Sequence, residues 1–161
     1  MNNPTSAKSN ESVRAQSDQE HSKRNEARDN KQTWTGSCLC GFVSFELRAP
    51  LNDIYQCHCS KCRKVSGSAS NSAMIINESQ FRWLSGKEAI RAFQQISGFK
   101  SHFCSQCGCP VPNPTSNNSY WIPVGLMDED IPAQMTRHVY VDSKANWDVV
   151  SHEVHHYSKA G

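Results

Sequence analysis

From Trp34 onward, apolar and polar positions alternate with the period of β-strands. Val43, Phe45 and Leu47 alternate with Phe42, Ser44 and Glu46, and Phe81 and Trp83 flank Arg82. Ala73 to Ile76 is a short apolar run, and Val139 and Val141 alternate with His138 and Tyr140. A period of two places one set of side chains on a buried face and the other toward solvent. Asn77–Ser79, Ser85–Gly86 and Pro110–Asn118 carry the Gly, Asn, Ser and Pro residues that interrupt strands with turns. The pattern predicts a mainly β domain of antiparallel sheets, with no long amphipathic helix and at most a turn or two of helix after Cys62.

The pattern is absent before Trp34. Residues 1–33 contain no aromatic side chain, and six Lys or Arg stand against five Asp or Glu. Such a segment buries too little apolar area to offset chain entropy, so a disordered leader is the expectation for 1–33. It has no apolar run of the kind a signal peptide needs, and its acids argue against a mitochondrial presequence. All eight cysteines, all four Trp and all six Phe lie from Trp34 onward. We therefore expect one domain over 34–157 and a short tail at 158–161. From Trp34 the charge is balanced, eleven basic residues against ten acidic, with no basic stripe of interleaved aromatics. Nucleic acid is accordingly not an expected partner. No apolar run approaches the length of a membrane span.

The cysteines carry the chemistry. They fall as Cys38-x-Cys40, Cys57-x-Cys59-x-x-Cys62 and Cys104-x-x-Cys107-x-Cys109. Thiolates so spaced converge on one point, as a tetrahedral zinc ion requires, whereas residues two apart on an extended chain are poorly placed for a disulfide. Metal binding implies a reducing, cytoplasmic setting. Cys104-Ser105-Gln106-Cys107-Gly108 has the form of a zinc knuckle, with a glycine free to adopt positive φ just after the second cysteine. Cys38-Leu39-Cys40-Gly41 has the same character, and the two pairs together would close a structural four-cysteine site.

Cys57, Cys59 and Cys62 remain as a trio. Structural zinc closes with four protein ligands, while catalytic zinc commonly keeps three and leaves one position open. Lys61, Arg63 and Lys64 stand beside the trio and are either a charge offset or ordinary surface. His58, between two cysteines on an extended segment, should point away from the metal, as a non-ligand or a nearby acid–base group. Ser66 to Ser68 reads as a turn beside the trio. Cys109 is a spare thiol or a conditional fourth ligand. Tyr120 and Trp121 belong to the core, to a substrate wall or to a partner surface.

The motifs Gly36-x-Cys38-x-Cys40-Gly41-x-Val43-x-Phe45, Cys57-His58-Cys59-x-x-Cys62-Arg63-x-x-x-Gly67 and Phe103-Cys104-x-x-Cys107-Gly108 occur in this order. With His138 to Trp147, they resemble the glutathione-dependent formaldehyde-activating enzyme family, whose domain is shared with centromere protein V. The resemblance implies a β-tent fold and two zinc ions per chain. It implies structural zinc on Cys38, Cys40, Cys104 and Cys107, and an active-site zinc on Cys57, Cys59 and Cys62. It also implies a carbon–sulfur lyase that joins glutathione and formaldehyde into S-hydroxymethylglutathione, or reverses that step. A non-enzymatic zinc module that binds a protein partner is the alternative. The pattern departs from the family at Cys109 and in the leader.

Overall fold

Alternation decides the first sheet. The computed structural model describes residues 33–160, so the expectation for the leader falls outside the described residues except at Thr33. Strands β1 (Trp34–Ser37), β2 (Ser44–Leu47) and β5 (Phe81–Ser85) form an antiparallel three-stranded sheet in the order β1-β2-β5. Its inward positions Trp34, Phe45 and Leu47 are essentially inaccessible to solvent, and Ser44 and Glu46 between them are partly exposed. Phe45 stacks on Phe81 at 5.7 Å, and Phe81 stacks on Tyr120 at 3.9 Å. Aromatic packing thus joins this sheet to the next one.

The second sheet has six strands: β3 (Asp53–Cys57), β4 (Asn71–Asn77), β8 (Asn113–Pro114), β9 (Ser119–Pro123), β10 (Gln134–Val139) and β11 (His155–Tyr157), in the order β11-β10-β3-β4-β9-β8. Antiparallel pairing prevails from β3 to β8, while β10 runs parallel to both β3 and β11. The sheet is therefore mixed, a detail that strand periodicity does not carry. The main core, with Trp34, Phe45, Leu47, Met74, Ile76 and Ile122, lies between this sheet and the first.

Strands β6 (Ile90–Gln94) and β7 (Lys100–Cys104) make a separate antiparallel hairpin. One α-helix is present among the described residues, α1 (Ser60–Ser66). It starts just before Cys62 and ends at Gly67, whose φ of 62° supplies the left-handed cap. The expected alternation through Val141 stops at Val139, where β10 ends. Tyr140 takes a φ of 57°, and the chain turns into a short 3-10 segment at Val141–Ser143. No helix among the described residues is long and apolar enough to cross a membrane.

Candidate metal centres and the adjoining cavity

Two groups of cysteine sulfurs come together. The Sγ atoms of Cys38, Cys40, Cys104 and Cys107 all lie within 4.8 Å of one another, and so do those of Cys57, Cys59 and Cys62. The first group joins the turn after β1 to the end of β7, 64 positions away in sequence between Cys40 and Cys104. Gly41 and Gly108, each directly after a cysteine pair, have φ of 73° and 72° and turn the chain there. Val43 N–H donates to Cys38 Sγ at 3.3 Å. Cys38 and Cys104 are buried in a second core cluster with Val43, Ala89 and Val111, so this group is continuous with the hydrophobic interior.

The donors fit a tetrahedral thiophilic ion. Ligands about 2.3 Å from zinc stand about 3.8 Å apart at the corners of a tetrahedron. Sγ of Cys40 is 3.5 Å from that of Cys38 and 3.9 Å from that of Cys104. The thiols also perturb one another. Backbone N–H donation at Cys109 pulls Cys107 down to about 6. Cys40 is drawn down by the Phe42 backbone, but Cys38 and the other neighbouring thiols push it up to about 12. One thiolate forms readily and resists a second beside it, a conflict that a bound cation resolves. Cys109 stays outside the group, its thiol raised chiefly by burial.

The trio is assembled by a strand end and a helix start. Cys57 closes β3 and is buried, and Cys59 is the N-cap of α1, its sulfur accepting from Cys62 N–H at 3.4 Å. Ser66 Oγ donates to the carbonyls of Cys62 (2.9 Å) and Ser70 (3.0 Å), fixing the helix end on the following loop. The hydrogen bond with Cys62 pulls Cys57 down to about 6, and the same contact pushes Cys62 up. Lys61 and Arg63 engage other partners. Lys61 Nζ donates to Ser97 Oγ at 2.9 Å, and an Arg63 guanidinium nitrogen donates to the Ser143 carbonyl at 3.3 Å.

His58 faces away from the trio into a polar cluster. Its ring is 2% exposed, Nδ1 is 2.9 Å from Asp148 Oδ2, and Nε2 is 3.0 Å from His138 Nδ1. His138 in turn makes an edge contact with His156, ring centroids 5.2 Å apart. Burial, and then its histidine neighbours, hold His138 below the usual imidazole range. Both ring nitrogens of His58 thus have partners inside this buried cluster, and His58 does not line the cavity beside the trio. No local signal marks Asp148 as a partner, since it lies 90 positions away.

A cavity of about 690 Å³ opens beside the trio, with Cys62 in its wall. Its floor is one face of the six-stranded sheet, carrying Tyr55, Ile75 and Trp121, and Phe99 and Lys100 of the hairpin complete another side. Tyr55 is pushed up to about 12, chiefly by burial, with Trp121 pulling the other way. Of the two aromatics left open in sequence, Tyr120 packs against Phe81 on the core, whereas Trp121 lines the cavity.

A family model described as glutathione-dependent formaldehyde-activating enzyme matches residues 33–143. Among solved structures, a Rhodobacter sphaeroides protein is similar, with 28% sequence identity and a TM-score of 0.50. The similarity covers 61% of this chain and 91% of that one.

Proposed function

This chain belongs to the glutathione-dependent formaldehyde-activating enzyme family, and from that premise we propose that it is a zinc-dependent carbon–sulfur lyase acting on a thiol–aldehyde adduct. The adduct is S-hydroxymethylglutathione or a related glutathione hemithioacetal. One observation carries the reading: three grouped thiols stand at the edge of a cavity large enough for a small-molecule ligand, and one of them, Cys62, lines it. Cys38, Cys40, Cys104 and Cys107 would hold a structural zinc. Cys57, Cys59 and Cys62 would hold a second one with a position left for substrate.

When bound at the trio, zinc would lower the pKa of an incoming thiol, as it does for a coordinating cysteine. The cavity residues do the rest. Lys100 is the single charged side chain in the lining and suits a substrate carboxylate, while Asn71, Ser101 and Thr115 offer hydrogen bonds. In the forward direction the thiolate sulfur adds to the aldehyde carbon. The C–S bond forms, the carbonyl π pair moves to oxygen, and that oxygen takes a proton. In reverse the hydroxyl loses its proton, the C=O bond re-forms and sulfur leaves with the C–S pair. His58 contributes by holding the segment between Cys57 and Cys59 rather than by moving a proton.

A panel of thiols with formaldehyde, assayed beside zinc stoichiometry in the same samples, tests this reading. Acceleration of adduct formation with glutathione, lost in Cys59→Ser, supports it. No acceleration by protein carrying two zinc ions overturns it. The alternative, a zinc module that binds a protein partner, draws on the exposure of Leu39 (86%) and Phe42 (47%) beside the four-cysteine group. A fourth protein ligand on the second metal, seen by X-ray absorption, would favour that module.

A further inference from the structure

Resting on the lyase reading, we infer that the aldehyde half of the substrate is larger than formaldehyde and carries an aromatic or branched apolar substituent, seated on Tyr55, Ile75 and Trp121. Strand register places these side chains. Cys57 pairs with Asn71, Tyr55 with Ala73, and Ile75 with Trp121. Residues two apart on a strand share a face, and so do residues directly opposite across an antiparallel pair. One continuous face therefore leads from the metal-binding Cys57, past Tyr55 and Ala73, to Ile75 and Trp121. The other face of β4 carries Met74 and Ile76 into the core.

Ile75 is the unusual member. It sits on an interior strand of the six-stranded sheet, flanked by β3 and β9, and yet is 50% exposed. Among the described residues no side chain closes over this half, and the cavity lies over it. Val65 of α1, Phe99 of the hairpin and Pro114 add apolar surface around the same space. Glutathione is a polar tripeptide and formaldehyde adds a single carbon, so their adduct leaves this surface wet. An apolar group on the carbonyl carbon, attached to sulfur beside Cys62 and extending along the face, would cover it and gain the free energy of burial.

Two measurements on the zinc-loaded protein test the inference. Calorimetry compares S-benzylglutathione with S-methylglutathione, unreactive thioethers that differ only in the group on sulfur. The benzyl compound should bind about tenfold or more tightly, the discrimination that a few buried carbons give in an apolar pocket. Kinetics with glutathione should show a similar preference in kcat/KM for phenylacetaldehyde over formaldehyde. Ile75→Gln should shrink both ratios, and a ratio is insensitive to any loss of folded protein. Equal binding of the two thioethers, or formaldehyde turned over as well as the larger aldehyde, overturns the inference. Tight benzyl binding without acceleration for any aldehyde overturns the lyase reading and leaves the apolar seat in place.

Discussion

Asp148 Oδ2 lies 2.9 Å from Nδ1 of the buried His58, and so ties a residue beyond the family-matched region to the segment between two cysteines of the trio. The carboxylate stands where it accepts an Nδ1–H, and Nε2 shares a hydrogen bond with His138 Nδ1 at 3.0 Å. The backbone adds a third tie, His58 N–H to the Val139 carbonyl at 3.0 Å. Asp148→Ala should leave a buried N–H without a partner, at a cost of about 1–3 kcal/mol in stability. Asp148→Asn keeps an acceptor and should cost less. Denaturant unfolding measures the difference, and a zinc-chelator competition should show the trio's metal leaving first in the Ala variant. Equal stability of the wild type and Asp148→Ala would refute this role.

The two cysteine groups should fail differently. Cys104 is fully buried in a core cluster with Val43 and Val111, whereas Cys59 is partly exposed at a helix start. Structural zinc in small domains binds with roughly 10–16 kcal/mol of apparent free energy. A whole domain is stable by only about 5–15 kcal/mol. Cys104→Ser should therefore unfold the domain, while Cys59→Ser should lose one metal and turnover yet keep its circular dichroism. Elemental analysis and spectra on both variants check this, and equal loss of structure would overturn the division of roles.

These expectations were largely open to a reader of the chain, since short cysteine spacings and the alternation over Val43–Leu47 are local signals. What stayed hidden is non-local or locally atypical. The β6–β7 hairpin has exposed positions on both faces of β6, so period-two patterning has nothing to register. Val141 looked like a strand residue because its turn is made by Tyr140, a residue type that seldom takes positive φ. The parallel pairing of β10 with β3 joins segments about 80 residues apart, and no local pattern specifies it. Lys61 read as a possible charge offset for thiolates, but a hairpin contact far along the chain claims its ammonium group.

In the zinc-stripped protein the thiols should report their environment through pH. Cys57 is held at about 6 by the Cys62 thiol, and Cys107 at about 6 by the Cys109 backbone, against an ordinary value of 9.0. A depressed acid stabilises the fold above its unfolded pKa, and that contribution is lost as pH falls through the folded value. Metal-free stability should thus decline as pH drops from about 9 through 6. Above about 9, the raised Cys62 works in the opposite sense and withdraws stability. Iodoacetamide labelling read by mass spectrometry should reach half its limiting rate near pH 6 at Cys57 and Cys107. Rates that keep climbing to pH 9 at both residues would contradict the assignment, and added zinc should protect both.

Lys61 couples the helix that carries Cys62 to the hairpin that walls the cavity. Its ammonium donates to Ser97 at 2.9 Å and lies 5.6 Å from the centroid of the Phe99 ring. Phe99 and its neighbour Lys100 both line the cavity. A cation–π contact at a partly exposed place is worth about 0.5–1 kcal/mol, which corresponds to about two- to fivefold in an equilibrium constant. Lys61→Met should therefore loosen the tip of the hairpin and raise KM by about that factor with kcat little changed, the pattern of lost uniform binding. Lys61→Arg, which keeps a cation over the ring, should lie between the two. Steady-state kinetics with glutathione separates the outcomes. A fall in kcat matching the fall in kcat/KM would place Lys61 in the chemistry instead of in the wall.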